Sequence, residues 1–180
     1  MMTTLEALLS DPDAQGPWHL VADRSTITFK IKNMWGLLTV KGEFTNFGGY
    51  GELADHGAVS GHLEIETASV RTGIGSRDKH LRSADFFDVE RFPQIRVVVT
   101  GLQPTKGRGA DLRANFTIKG VGDPVPLPVT ITEFGDGSVR ICGEAEIDRA
   151  QFGLDWNKFG VMARTATVSA VLVFAPARVV

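Results

Sequence analysis

The sequence predicts an all-β fold: an eight-stranded antiparallel barrel with a short helical lid segment and a short N-terminal helix. Three observations carry this reading. About eight runs alternate apolar and polar residues with period two. Hairpin-type clusters such as Lys106-Gly107-Arg108-Gly109 and Gly135-Asp136-Gly137 separate runs of this kind. A single stretch, Arg77 to Pro93, breaks the alternation. Eight is the strand count at which an antiparallel sheet closes into a barrel able to hold one small ligand.

At the N-terminus, Thr3 and Glu6 have capping-box spacing, and Leu5, Leu8 and Leu9 share a helical face before Asp11-Pro12 ends the run. Residues 1–14 are therefore read as a helical extension, docked on or plugging the barrel of residues 15–180. From Trp18 the period is two: Ile27, Phe29 and Ile31 share one face, then Leu38, Val40, Gly42 and Phe44, then Val59, Gly61, Leu63 and Ile65. His62 falls on the wet side.

Within the interruption, Ser76 is placed to cap a short helix and Asp78 suits its positive first turn. Phe86-Phe87 bring two rings together before Pro93 stops the segment. Its apolar side chains need a larger hydrophobic surface, so it is read as the lid. Afterwards Ile95, Val97 and Val99 lead to Gly101, and Leu112, Ala114, Phe116 and Ile118 form the next strand. Pro124, Pro126 and Pro128 predict that the following strand is an edge or starts near Val129, because proline has no ladder donor. Val139, Ile141, Gly143, Ala145 and Ile147 make the clearest dry face, and Thr165 to Ala175 carries apolar residues at both parities, as in a strand covered on both sides.

The 180-residue chain has a formal charge of -2 and no Lys/Arg run, which argues against nucleic acid. Cys142 is the only cysteine, so no internal disulfide and no thiolate zinc site can form. The first ten residues lack a cationic segment followed by an unbroken apolar run, and no later window approaches a membrane span. The expectation is a soluble cytoplasmic protein; transient contact with a membrane and formation of a homodimer both stay open.

Residue size decides whether such a barrel is hollow. Gly61, Gly101, Ala114, Gly143 and Ala145 occupy dry-face positions where larger residues would be needed to fill it. Phe29, Met34, Trp35, Phe86, Phe87, Phe116, Phe159 and Met162 lie nearby in sequence as wall candidates for a narrow apolar site. The competing reading is that the glycines mark bulges and bends and the rings are ordinary core.

The run Arg77-Asp78-Lys79-His80-Leu81-Arg82-Ser83, followed by Asp85-Phe86-Phe87-Asp88-Val89 and Phe92-Pro93, resembles the YceI-like family. Ser25-x-Ile27-x-Phe29, Val40-Lys41-Gly42-Glu43-Phe44, Ser69-Val70-x-Thr72-Gly73 and Phe152-Gly153 support it, over about Trp18 to Phe174. The resemblance implies a barrel of lipocalin-like shape with an apolar tunnel for a polyisoprenoid, isoprenoid quinone or similar lipid. It implies binding or carriage without catalysis, and no cofactor beyond such a bound ligand. Many relatives have a leader, and many have His where this chain has Asn33, a departure that bears on head-group contact.

Arg77, Asp78, His80, Arg82 and Asp88 form a candidate polar network that would hold the lid closed. His80 beside Asp78, Asp85 and Asp88 could also serve proton transfer on a bound lipid. The polar-network reading is favoured, since no companion His has zinc spacing and no nucleophile motif is present. A protein-interaction module with a filled barrel is the other alternative. Gly73-x-Gly75-Ser76 reads as a turn and cap, and Cys142 as an incidental exposed thiol.

Overall fold

The computed structural model describes residues 4–157 and 160–177. The strands are β1 (Gly16–Leu20), β2 (Thr26–Asn33), β3 (Leu38–Phe44), β4 (Phe47–Leu53), β5 (Val59–Glu66), β6 (Val70–Arg71), β7 (Gln94–Pro104), β8 (Gly109–Ile118), β9 (Val121–Glu133), β10 (Val139–Asp148) and β11 (Thr165–Pro176). The helices are α1 (Thr4–Ser10) and α2 (Gly75–Arg82).

All pairings are antiparallel, in the order β1-β4-β5-β7-β8-β9-β10-β11-β2-β3-β6, and β11 also pairs with β1 to close the ring. The eight staves of the barrel follow because β1 and β2 act as one broken stave, as do β3 and β4. β11 pairs with β2 along Ala166 to Val171 and with β1 along Phe174 to Pro176. Between them a 3-10 turn at Ala22–Arg24 interrupts the ladder. Ser25 repairs it: its hydroxyl accepts from the Val173 N–H at 2.9 Å and donates to the Val21 carbonyl at 2.8 Å. A buried backbone donor is thereby satisfied without a continuous strand.

The alternation survives in detail. Ile27, Phe29 and Ile31 are buried between exposed Thr26, Thr28, Lys30 and Lys32. Phe29 faces Gly42 across the β2–β3 pair, and a Cβ at residue 42 would stand 2.3 Å from the Phe29 ring. Gly42 is thus required by the close approach of that ring.

Four sequence expectations change. Ile74, with no side-chain capping bond, precedes α2, and Ser76 lies inside the helix because the chain already turns at Gly75. β9 begins at Val121, earlier than Val129; it pairs with β8 from Val121 to Thr130 but with β10 only from Val129 to Glu133. The three prolines occupy the half that is an edge on the β10 side, where no donor is needed. At Gly101 the register shifts relative to β8, and the Arg113 guanidinium lies over the glycine, so Gly101 is a bulge position and Leu102 resumes the inward face. β11 is covered on both sides only in part: Val171 on its outer face is exposed, whereas Val173 is buried beside Ser25. The Thr3 half of the expected capping box lies outside the described residues.

One end of the barrel is solid. Phe29, Phe44, Leu81, Phe86, Ile95, Ile118, Ile147, Phe152 and Leu154 belong to one buried cluster there. Each such side chain contributes roughly 1.5–3 kcal/mol on leaving water. The Phe44 ring stands 5.6 Å from Phe29 and 5.7 Å from Phe87, the latter edge-on. The other end holds a smaller cluster in which Leu5 of α1 meets Ala110, Val129, Ile131 and Val139.

Candidate functional site

Between these two clusters lies an apolar cavity of about 200 Å³. Ile27 and Phe116 line it toward the solid end, and Leu5, Leu8 and Leu9 of α1 line it at the other. The wall takes inward residues from every stave, among them Trp18, Leu63, Val99, Leu112, Leu127, Ile141 and Leu172. Trp18 is steadied by its indole N–H, which donates to the Ala14 carbonyl at 2.9 Å.

The space exists because inward positions are small. Gly51 and Gly61 are direct cross-strand partners, so that patch of wall is bare backbone. Gly143, Ala145 and Ala170 thin the opposite side. Glu52, Ser60 and His62 border the cavity although they sit on the outward parity of β4 and β5, as expected where the intervening side chains are absent. His62 stacks on Tyr50 outside the barrel at 5.0 Å. Among the described residues no buried side-chain polar atom lacks a partner. The exposed lining of the cavity is almost wholly apolar, with Glu52, Ser60 and His62 at its border.

α2 and the segment that follows it cover the solid end of the barrel, with Leu81 and Phe86 in its buried cluster. Asp78 is buried, and its carboxylate accepts from the Thr72 hydroxyl and from the Thr72 N–H at 2.8 Å. The Thr72 hydroxyl bond leads in holding the Asp78 pKa below the usual carboxylate range, against the opposing effect of burial, with Arg82 and Arg77 adding to the lowering. Arg77 donates to the Thr72 hydroxyl and carbonyl, and Arg82 to the Ala68 and Val70 carbonyls. The charged residues of this segment thus fasten it mainly to residues 68–72. Asp88 makes a 3.5 Å contact with Arg91.

A family model described as the YceI-like domain matches residues 18–174. The chain belongs to the YceI-like family. It is 32% identical over 166 residues to a UPF0312 protein of Pseudomonas putida strain W619, covering 89% of this chain and 85% of that one. It is 34% identical over 125 residues to Protein YceI of Salmonella arizonae, covering 67% and 64% of the two chains. Among solved structures, BcnA of Burkholderia cenocepacia superposes with a TM-score of 0.79 at 23% identity, over 86% of this chain and 98% of that one. A polyisoprenoid binding domain from Saccharophagus degradans, implicated in plant cell wall breakdown, superposes at 0.74 and 19% identity, over 88% and 98%. These structural likenesses establish the fold: a closed eight-stave antiparallel barrel with two short helices.

Of the wall candidates in this YceI-like chain, Phe116 lines the cavity. Phe29, Phe86 and Phe87 lie in or against the solid cluster below it, with Met162 packed against the same cluster. Asn33 accepts from the Met34 N–H at 2.8 Å at the far end of β2, and Met34 and Trp35 project into solvent beside it. Phe159 lies outside the described residues. His80 meets Asp85 at 2.9 Å and packs edge-on against Phe86 and Trp156, at 5.1 and 4.5 Å, on the outer side of the solid end. Among the described residues no cluster of three His, Cys, Asp or Glu side chains could hold a metal ion. No helix there is long and apolar enough to cross a membrane.

Two features escaped the sequence reading. The strand β4, with Gly48, Gly49 and Gly51, has poor strand propensity and was not predicted as a strand, yet Gly51 opens the wall. Arg149 is buried at 4% exposure, donating to the carbonyls of Ala163 at 2.9 Å, Leu154 at 2.6 Å and Trp156 at 3.4 Å. Burial lowers its pKa, and Asp155 and Asp148 partly compensate. The guanidinium's five N–H donors in a planar fork let it serve three carbonyls at once, but nothing in a lone arginine announces that role.

Proposed function

We propose that this YceI-like chain binds and carries the apolar tail of a polyisoprenoid, an isoprenoid quinone or a similar lipid, without catalysis. The observation that carries the reading is the apolar cavity within the barrel, bounded by Gly51, Gly61 and Gly143. The family assignment and the likeness to a protein described as a polyisoprenoid binding domain support the same class of guest. Each methylene withdrawn from water contributes about 0.8 kcal/mol, so a few isoprene units suffice for firm binding from solution. From a bilayer the gain is small, because the tail leaves one apolar medium for another. That near balance suits a carrier that loads and unloads.

The alternative of an enzyme acting through His80 is disfavoured by position: the buried cluster around Phe86 and Phe152 separates His80 from the cavity. The Asn33 departure, at the end away from the cavity, is proposed to leave tail binding intact. The proposed place of action is the cytoplasm, to be checked by cell fractionation. Native mass spectrometry of gently purified protein, with and without a short-chain isoprenoid alcohol, tests the reading. A one-to-one hydrophobic adduct is expected. Absence of any adduct, or product formation lost in His80→Ala, overturns it.

A further inference from the structure

Eight large apolar side chains are exposed among the described residues, and four of them, Met34, Trp35, Leu37 and Leu38, form the tip of the β2–β3 hairpin. Their exposures are 40, 78, 82 and 59%. Scattered exposed apolar residues need no explanation, but a contiguous projecting group does. Met34 and Trp35 both hold positive φ, at 51° and 54°, and Gly36 follows at 91°. Such backbone is costly for non-glycine residues, and here it turns the chain without tucking the Trp35 ring beneath it. Ile74, in the β6–α2 connection, and Val121, the first residue of β9, are also exposed and lie at the same end of the barrel.

Charge behind the tip selects the partner. Lys30 and Lys41 stand directly opposite each other on the outer face of the hairpin, with Lys32 one step nearer the tip. Like charges placed opposite on a sheet are destabilising, and none of these lysines has an ion-pair partner among the described residues. Arg71 joins Lys30 and Lys41 along a surface groove in which Glu43 is the one acid. Among the acids toward this end, Asp148 contacts Arg164, Asp88 Arg91, Asp85 His80 and Asp78 Thr72, while Glu146 bonds Thr167, the neighbour of Lys30 on β11, and Glu90 and Asp155 are exposed. A tryptophan-bearing apolar tip backed by unpaired lysines fits the interface of a lipid bilayer, where rings lie at head-group depth and lysines meet anionic phosphates.

We infer that the β2–β3 hairpin docks the barrel on an anionic lipid surface, with Met34, Trp35, Leu37 and Leu38 in the interface and Lys30, Lys32, Lys41 and Arg71 against the head groups. This assignment stands apart from the cavity reading, since the tip and the cavity occupy opposite ends of the barrel. Docked this way, the α1 end faces water.

The test is co-sedimentation of the full chain with phosphatidylcholine vesicles, pure or containing about one-third phosphatidylglycerol. The wild type partitions onto the mixed vesicles, and about 0.5 M salt releases it. Two variants are compared: Trp35→Ser with Leu37→Ser, and Lys30→Gln with Lys32→Gln and Lys41→Gln. Each is expected to bind at least about tenfold more weakly, given an attraction of several-fold per lysine near an anionic surface. Both variants keep wild-type uptake of a soluble isoprenoid alcohol and an unchanged melting temperature, so failure of docking and failure of cavity binding are read separately. Wild-type protein left in the supernatant overturns the inference, as does undiminished vesicle binding in both variants. Concentration-dependent dimerisation lost in the Trp35/Leu37 variant, with no vesicle binding, assigns the tip to a second copy and likewise overturns it.

Discussion

Replacing Gly61 by leucine tests the cavity most directly. A Cβ at residue 61 would lie 3.4 Å from the Tyr50 carbonyl oxygen and 3.8 Å from the Gly51 Cα, ordinary contact distances, so the backbone need not shift. The whole side chain, four carbon atoms, points into the cavity. If these displace about four methylenes of a guest, the loss is roughly 3 kcal/mol, or about two orders of magnitude in Kd. The empty protein responds in the opposite sense. A leucine placed in apolar space, replacing a flexible glycine, stabilises the fold by about 1–3 kcal/mol and raises Tm by several degrees. Titration with a short-chain isoprenoid alcohol, followed by native mass spectrometry, reads the first effect, and calorimetry the second. Gly48→Leu is the control, because residue 48 is outward-facing and a Cβ there meets nothing within 4 Å. Folded Gly61→Leu protein that binds the alcohol as tightly as wild type would refute the assignment of the site.

Further outcomes follow from the two ends. Leu5→Ala removes the buried anchor of α1 and costs about 2 kcal/mol locally, so amide exchange in Thr4–Ser10 should rise roughly thirtyfold, and a bound soluble alcohol should dissociate faster. Arg149→Met leaves three carbonyls without their donor; a loss of about 3–5 kcal/mol in urea unfolding is expected, and a change below about 1 kcal/mol would show that water replaces the guanidinium. Asp78→Asn probes the Thr72 contact through pH. The folded carboxyl titrates below the unfolded value of about 4, so its stabilisation is complete above that value and is lost as pH falls through the lower, folded one. The stability gap between wild type and Asp78→Asn should accordingly be constant near neutrality and close in acid; a gap that closes on raising the pH would contradict the assignment.

The strand faces were legible because alternation reports parity directly: Val139, Ile141, Gly143 and Ala145 were grouped on one dry face and all line the cavity. The choice of wall residues by aromatic type was less informative. Phe29 lies on the inward parity yet packs in the solid cluster, and Trp35 lies in a turn where parity has no meaning. Gly101 shows a second limit, since a bulge inserts one residue and reverses the face of everything after it. Arg149 shows a third: its acceptors, the carbonyls of Leu154, Trp156 and Ala163, come together only in the folded chain.

Depth along the barrel axis is what alternation cannot report, yet the connections constrain it. The hairpins β4–β5, β7–β8 and β9–β10 are short and leave from one end, which α1 alone covers. The long connections from β5 to β7 and from β10 to β11 both leave from the other end, and they carry Leu81, Phe86, Phe152 and Leu154 into the buried cluster. A barrel whose own loops supply the plug at one end has no comparable material for the other, and small residues at Gly51, Gly61 and Gly143 leave the strands unable to make up the difference. The hollow half is therefore a consequence of which connections are long. Enlarging the inward side chains near α1 should close the cavity without touching the fold, whereas truncating Phe86 or Phe152 should cost about 3–5 kcal/mol and loosen the end on which the barrel is built.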